Sequence, residues 1–281
     1  MEKNLKDRII TVVIGIPAVL AMIFFVPQYN YILFCLLLIG MSIVGSIEMS
    51  RILFRKIVPI ALLAPVVPVV QYLKGVLGLN AQLPDLAFVI ILLLSMSLEI
   101  RAGEKDDFKH SIERIAKSAV LVIYPSYFLS FFLRLMELDG VNSYTLMTYF
   151  ILVFGNDTFA YIWGRLFGKN NKGIVKVSPK KSAAGYVGSL ISTIGLSFAC
   201  CALFRDHLPY ISVAYRILLG SAVSITANVG DLIESVFKRS AGVKDSGNVF
   251  PGRGGALDCL DSEIASAPVF FIIFSMILEA V

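Results

Sequence analysis

Between residues 231 and 261 the sequence gathers carboxylates, cations and glycines at spacings that suit phosphate chemistry. In Gly230-Asp231-Leu232-Ile233-Glu234-Ser235-Val236-Phe237-Lys238-Arg239, the residues Asp231, Glu234, Ser235 and Lys238 fall at i, i+3, i+4 and i+7. On a helix they share one face. Lys244-Asp245-Ser246-Gly247 follows, and then Phe250-Pro251-Gly252-Arg253-Gly254-Gly255 runs into Asp258-Cys259-Leu260-Asp261. Gly252, Gly254 and Gly255 permit close backbone approach, and successive N–H groups in such a turn can cradle a phosphate. Asp258 and Asp261, three apart, present two carboxylates on one helical face. Mg²⁺ takes one or two carboxylates and completes its shell with phosphate oxygens and water, so acids beside a phosphate turn are its natural ligands. Singly, each element has an ordinary reading as a solvated helix end or a plain turn. Together they point to a metal-dependent phosphate site.

A second cluster lies upstream. After Asp157 the chain carries six bases and no acid through Ser182. Standing alone, such a loop would hold topology or meet anionic headgroups. Its tail, Ser178-Pro179-Lys180-Lys181-Ser182, sets hydroxyls beside ammonium groups, a pattern suited to a triphosphate. Asp157 sits in the otherwise apolar run Phe154-Gly155-Asn156-Asp157-Thr158-Phe159-Ala160-Tyr161. A carboxylate in such a run is a functional candidate, with pairing to Arg165 or Arg216 as the structural alternative. Gly164 and Gly168 read as a helix-packing pair. Other chemistries are disfavoured. His110 and His207 stand apart from each other and from any acidic cluster, and the four cysteines show no C-x-x-C spacing.

The elements that must position these groups are membrane helices. Of 281 residues 57% are hydrophobic and 16% charged, against roughly 25% charged in an average soluble domain. Nine apolar segments approach spanning length, at about 9–27, 31–47, 57–73, 86–100, 118–133, 144–163, 183–204, 210–228 and 265–281. The third holds Pro59, Pro65 and Pro68 and is expected to kink. With loops alternating sides, 21 of the 25 lysines and arginines fall on the side of the N-terminus and three on the other, with Arg216 inside a span. The positive-inside rule then puts the N-terminus and both motif loops in the cytoplasm. The net charge of +5 belongs to that side and calls for no nucleic acid. The fold expected is all-α, a polytopic membrane protein of about nine helices. Helices of residues 1–140 precede a catalytic region over 141–281 within one membrane domain.

The motif residues resemble the phosphatidate cytidylyltransferases, also called CDP-diacylglycerol synthases. That family's signature runs Ser, any, apolar, Lys-Arg, four residues, Lys-Asp, a Pro-Gly-His-Gly-Gly turn and Asp-Arg-x-Asp. Here it reads Ser235-Val236-Phe237-Lys238-Arg239, four residues, Lys244-Asp245, Pro251-Gly252-Arg253-Gly254-Gly255 and Asp258-Cys259-Leu260-Asp261. Ser178 to Ser182, Asp157 to Gly164 and Gly230-Asp231-Leu232 are similar to further family motifs. The likeness is strong over about 150–265. Arg253 replaces the usual histidine, and its guanidinium can still hold a phosphate. Cys259 replaces the usual arginine and brings no charge.

The resemblance implies transfer of the cytidylyl group of CTP to phosphatidate, giving CDP-diacylglycerol and pyrophosphate. It implies Mg²⁺ on Asp231 and Asp258, with Asp261 and Asp245 next, and leaves room for a second metal or a monovalent cation. Ser178, Lys180 and Lys181 are expected to hold CTP phosphates. Arg253, Lys238 and Arg239 are expected to meet the lipid phosphate or pyrophosphate, with Asp157, Ser235, Lys244, Gly254 and Gly255 completing the site. The setting is a bacterial cytoplasmic membrane with the site facing the cytoplasm, and a homodimer is compatible with it. Two rivals stay open at this point. One is a CTP-dependent polyprenol or phytol kinase of the same superfamily. The other is a transporter with Asp157, Asp231 and Arg216 along its path.

Overall fold

A computed structural model describes residues 2–280, with side chains from Val13 onward. Eleven α-helices follow one another: α1 (Glu2–Phe25), α2 (Gln28–Phe54), α3 (Ile60–Leu63), α4 (Val66–Leu77), α5 (Leu83–Gly103), α6 (Ser111–Val122), α7 (Phe128–Leu135), α8 (Ser143–Phe167), α9 (Ala183–Leu203), α10 (Val213–Ser240) and α11 (Ala256–Glu279). Strands are absent among the described residues, where two isolated bridges, Lys172 with Ser182 and Phe250 with Gly254, tie loops.

Seven helical stretches among the described residues are long and apolar enough to cross a membrane: Gln28–Phe54, Ile60–Leu77, Leu83–Asp106, Ser111–Leu135, Ala183–Leu203, Val213–Ser240 and Ala256–Glu279. The chain is an all-α, multi-pass membrane protein. The two other expected spans are helical but fall outside the seven. The first, about 9–27, begins outside the residues whose side chains are described, and its described part is the apolar helix Val13–Phe25; α8 carries the polar triplet Asn156-Asp157-Thr158 at its centre. The proline-rich third span breaks where expected, Pro65 capping α4 immediately after α3 ends. The fifth span is interrupted by a π-turn at Ile123–Tyr127 that contains Pro125; proline lacks the N–H that a continuous helix would use.

By internal packing the chain forms two units, Met1–Arg134 with Ser240–Cys259, and Leu135–Arg239 with Leu260–Val281. The glycine-turn loop therefore packs within the first unit, although it follows most of the second in sequence.

In the first unit α2 lies against the π-turn through small residues. The Ser126 hydroxyl is 2.9 Å from that of Ser42 and 3.1 Å from that of Ser46. Small polar residues are what membrane helices use for close association, because lipid is as apolar as leucine and gives burial no advantage. The start of α6 is joined to the end of α5 by Arg114, whose guanidinium meets Glu99 at 2.6 Å and Asp106 at 2.7 Å.

In the second unit the buried Tyr149 of α8 packs edge-on against Phe270 of α11, and its hydroxyl donates to the Glu263 carbonyl at 2.7 Å. The N-terminus of α8 is fixed by Asn142, whose side chain accepts from the N–H groups of Tyr144 and Thr145 in a capping box. Ser182 caps α9 by accepting from Gly185 N–H at 3.1 Å. That cap sets the end of the basic loop at the first turn of a spanning helix. Gly185 then lets α9 approach α8 closely: a β-carbon there would lie 2.8 Å from the Ala160 carbonyl oxygen. Gly164 joins this contact, as its expected packing role requires, a β-carbon there reaching Gly185 Cα at 3.8 Å.

Candidate active site

The second unit gathers its motif residues around one cation. Lys181, half-buried, forms an ion pair with Asp231 of α10. It also feels the carboxylates of Asp261 on α11 and Asp157 on α8. Two backbone bonds and a ring contact hold Lys181 in place: Gly173 N–H donates to its carbonyl at 3.0 Å, its own N–H donates to the Ser178 carbonyl, and its ammonium lies over the Tyr186 ring. Burial pushes the Lys181 ammonium below the ordinary lysine range, and the charges of Asp261 and Asp157 oppose that shift.

Around this cation the acids are positioned from three helices. Asp261 Oδ1 accepts from Ser262 N–H at 2.7 Å, and Asp157 Oδ1 lies 3.4 Å from the Ser262 hydroxyl. The Asn156 amide donates to the same Asp157 oxygen at 3.3 Å. Asn156 is itself oriented, because its Oδ1 accepts from the Ser224 hydroxyl at 2.7 Å and from the Asn228 amide at 3.3 Å, with Thr193 at 3.4 Å. With the carbonyl end so engaged, the NH₂ end must face Asp157. This buried amide was not singled out by sequence, although its place beside Asp157 in an apolar run was the available signal.

The donor set around Lys181 is all oxygen and mostly carboxylate, and its negative charge already converges on a cation, which fits Mg²⁺. Among the described residues no three acids lie close enough to cage a metal by themselves. A Mg²⁺ here would therefore use one or two of them and fill its shell from phosphate and water.

Lys180 is exposed beside Lys181, and Ser178 lies in the turn before it. On α10, Lys238 pairs with the fully buried Glu234 one turn away, while Ser235 is partly buried and Arg239 exposed.

The first unit holds the glycine turn. Phe250 and Gly254 exchange backbone bonds at 2.8 and 3.0 Å, and Gly252 and Gly254 take left-handed φ values of 74° and 99° that favour glycine. Asp258 Oδ2 accepts from Gly255 N–H at 2.8 Å, from Ser246 N–H at 2.7 Å and from the Ser246 hydroxyl at 2.9 Å. The two N–H groups that follow, of Ala256 and Leu257, both donate at 3.0 Å to Glu48 of α2. The turn's N–H groups from Arg253 to Asp258 are thus each paired with an acceptor of the chain. The backbone groups expected to face a phosphate are engaged internally, and the glycines act here through conformation and space. Arg253, Lys244 and Asp245 are exposed. Glu48 and Ser246 are partners that sequence reasoning missed, Glu48 lying one residue beyond the expected second span.

The profile of the cytidylyltransferase family matches residues 6–277. The chain is similar to a protein of Aquifex aeolicus named phosphatidate cytidylyltransferase, 35% identical over 188 residues. That match covers 67% of this chain and 65% of the relative, just under two thirds of its length. A phosphatidate cytidylyltransferase of Rickettsia bellii is 30% identical over 77% of this chain and 90% of its own. One of Bacillus subtilis is 25% identical over 97% of this chain and 98% of its own.

Proposed function

The chain belongs to the cytidylyltransferase family, and from that premise we propose that it transfers the cytidylyl group of CTP to phosphatidate, releasing pyrophosphate. In this step a phosphate oxygen of the lipid bonds to the α-phosphorus of CTP as the bond to the pyrophosphate oxygen breaks. The nucleophile is anionic at neutral pH, so no base is needed to activate it. What the protein must supply is alignment of two anions and neutralisation of charge on the α-phosphate and the leaving group.

The observation that carries the reading is the convergence of Asp157, Asp231 and Asp261 on Lys181. Mg²⁺, when bound, would neutralise phosphate charge; we assign one ion to Asp231 and Asp261, and Asp258, in the first unit, to a second. Lys181 balances the acids and meets the nucleotide's phosphates, with Lys180 and Ser178 beside it. Arg253, exposed on the glycine turn, serves an anionic group in place of the family's histidine. Lys238 supports Glu234, and Arg239 is the better candidate of the two for a lipid phosphate. The excess of bases on one face of the topology, 21 of 25, supports a site open to the cytoplasm, where CTP is found, at the inner membrane of a bacterium.

The test is consumption of CTP by the purified protein with Mg²⁺ and either phosphatidate, dolichol or phytol. Turnover confined to phosphatidate, with pyrophosphate as co-product, is expected. Turnover with an alcohol, giving CDP, would assign the chain to lipid kinases instead.

A further inference from the structure

We infer that Glu48 is a positioning residue: from α2 it holds the N-terminus of α11 and, through Ser246, sets the orientation of the Asp258 carboxylate. The inference rests on the assignment of Asp258 as a Mg²⁺ ligand.

Glu48 is 2% exposed. A buried carboxylate is costly unless it is hydrogen-bonded or paired. Here it is fully employed: Oε1 accepts from Ala256 N–H, and Oε2 accepts from Leu257 N–H at 3.0 Å and from the Ser246 hydroxyl at 2.9 Å. The two N–H groups belong to the first turn of α11, where a negative charge also meets the positive end of the helix dipole. The surrounding backbone is shaped to admit the acid. A side chain at either Gly247 or Gly255 would collide with the Glu48 carboxylate. Gly45, one turn earlier on α2, packs against Leu257, where a β-carbon would lie 3.1 Å from the Leu257 side chain.

Ser246 connects this anchor to Asp258. Its hydroxyl lies 2.9 Å from Glu48 Oε2 and 2.9 Å from Asp258 Oδ2, and it accepts from Asp258 N–H at 3.3 Å. The bonds from Ser246 N–H and Gly255 N–H converge on a single oxygen of Asp258, and the one Ser246 hydroxyl proton is shared between that oxygen and Glu48 Oε2. That fixes the rotation of the carboxylate and so the direction of Oδ1. Removing Glu48 leaves Ala256 and Leu257 N–H without an acceptor and releases the Ser246 hydroxyl. The helix start and the carboxylate it carries then lose their common reference.

Two variants test this, Glu48→Gln and Ser246→Ala, the second leaving the helix cap intact should the first not fold. Binding of Mn²⁺ alone is read by electron paramagnetic resonance on purified protein, and the Mg²⁺ dependence of turnover with CTP and phosphatidate is read in parallel. Outer partners of metal ligands are worth about 10–100-fold in affinity or activity. We expect Mn²⁺ to bind Glu48→Gln about tenfold or more weakly, with a matching rise in the Mg²⁺ needed for half-maximal rate. Ser246→Ala should move both in the same direction by less. Mn²⁺ affinity within twofold of wild type in both variants, or no Mn²⁺ binding by wild type, overturns the inference, even if turnover falls. A wild type that binds Mn²⁺ but does not consume CTP with phosphatidate refutes the substrate reading, and the Mn²⁺ series still decides the role of Glu48.

Discussion

Gly230 on α10 lies so close to Asp261 on α11 that a β-carbon at position 230 would stand 2.5 Å from the Asp261 carbonyl oxygen and 2.5 Å from Ala265 Cβ. The residue after Gly230 is Asp231. The missing side chain therefore allows two candidate metal ligands from different helices to share one region.

Gly230→Ala should uncouple that arrangement. The methyl would meet backbone, which cannot rotate away, and overpacking of this kind costs typically 1–3 kcal/mol. We expect a lower melting temperature in detergent and a loss of at least about tenfold in turnover, since small misplacements of reacting groups have large effects. Ala substitution at Gly195, where a β-carbon meets nothing within 4 Å, is the control and should leave both unchanged.

Lys181 and Lys180 should separate sharply. Lys181→Met removes the cation on which three acids converge and is expected to lower turnover by about 100-fold or more, the scale of losing one charge-stabilising group in an active site. Lys180→Met removes an exposed ammonium and should cost under about tenfold in turnover, most of it in the KM for CTP, as expected for binding without transition-state selectivity.

The pH dependence follows from the burial of Lys181. Its ammonium titrates below the ordinary lysine range, so as pH rises the cation is lost earlier than an exposed lysine would be. Turnover should fall on the alkaline side for that reason. In Lys181→Arg the guanidinium stays charged throughout, and the alkaline fall should move to higher pH even where the maximal rate is reduced. A pH–rate profile of the two proteins shows whether it does.

Asn156→Leu should act on stability and on Asp157 together. It leaves the hydroxyl of Ser224 without its acceptor inside the helix bundle, while the Asn228 amide keeps the Ser189 hydroxyl and the Ser224 carbonyl. Orphaned buried donors cost about 1–3 kcal/mol each. A melting temperature equal to wild type would show that the network carries no such energy.

Much of this was legible in the sequence because it is written locally. The apolar run from residue 183 announces α9, Pro65 the break between α3 and α4, and the spacing of Asp258 and Asp261 the helical turn that carries them. The apolar run around Asp157 made that residue conspicuous. Glu48 was not legible in the same way. It meets Ser246 across 198 positions and Leu257 across 209, and a cap supplied from another helix leaves no periodic trace at the helix it caps. The glycine turn shows the converse limit. Its composition correctly indicates tight backbone, but whether its N–H groups face a ligand or the chain's own acids is decided by a distant carboxylate.

Following the phosphorus of CTP decides whether the chain transfers a cytidylyl group. Purified protein is given phosphatidate, Mg²⁺ and CTP labelled at either the α- or the γ-phosphate. Cytidylyl transfer predicts α-label in the lipid and γ-label in pyrophosphate. Label from the γ-phosphate in the lipid, or CTP left intact while the protein moves solute across vesicles, would rule cytidylyl transfer out.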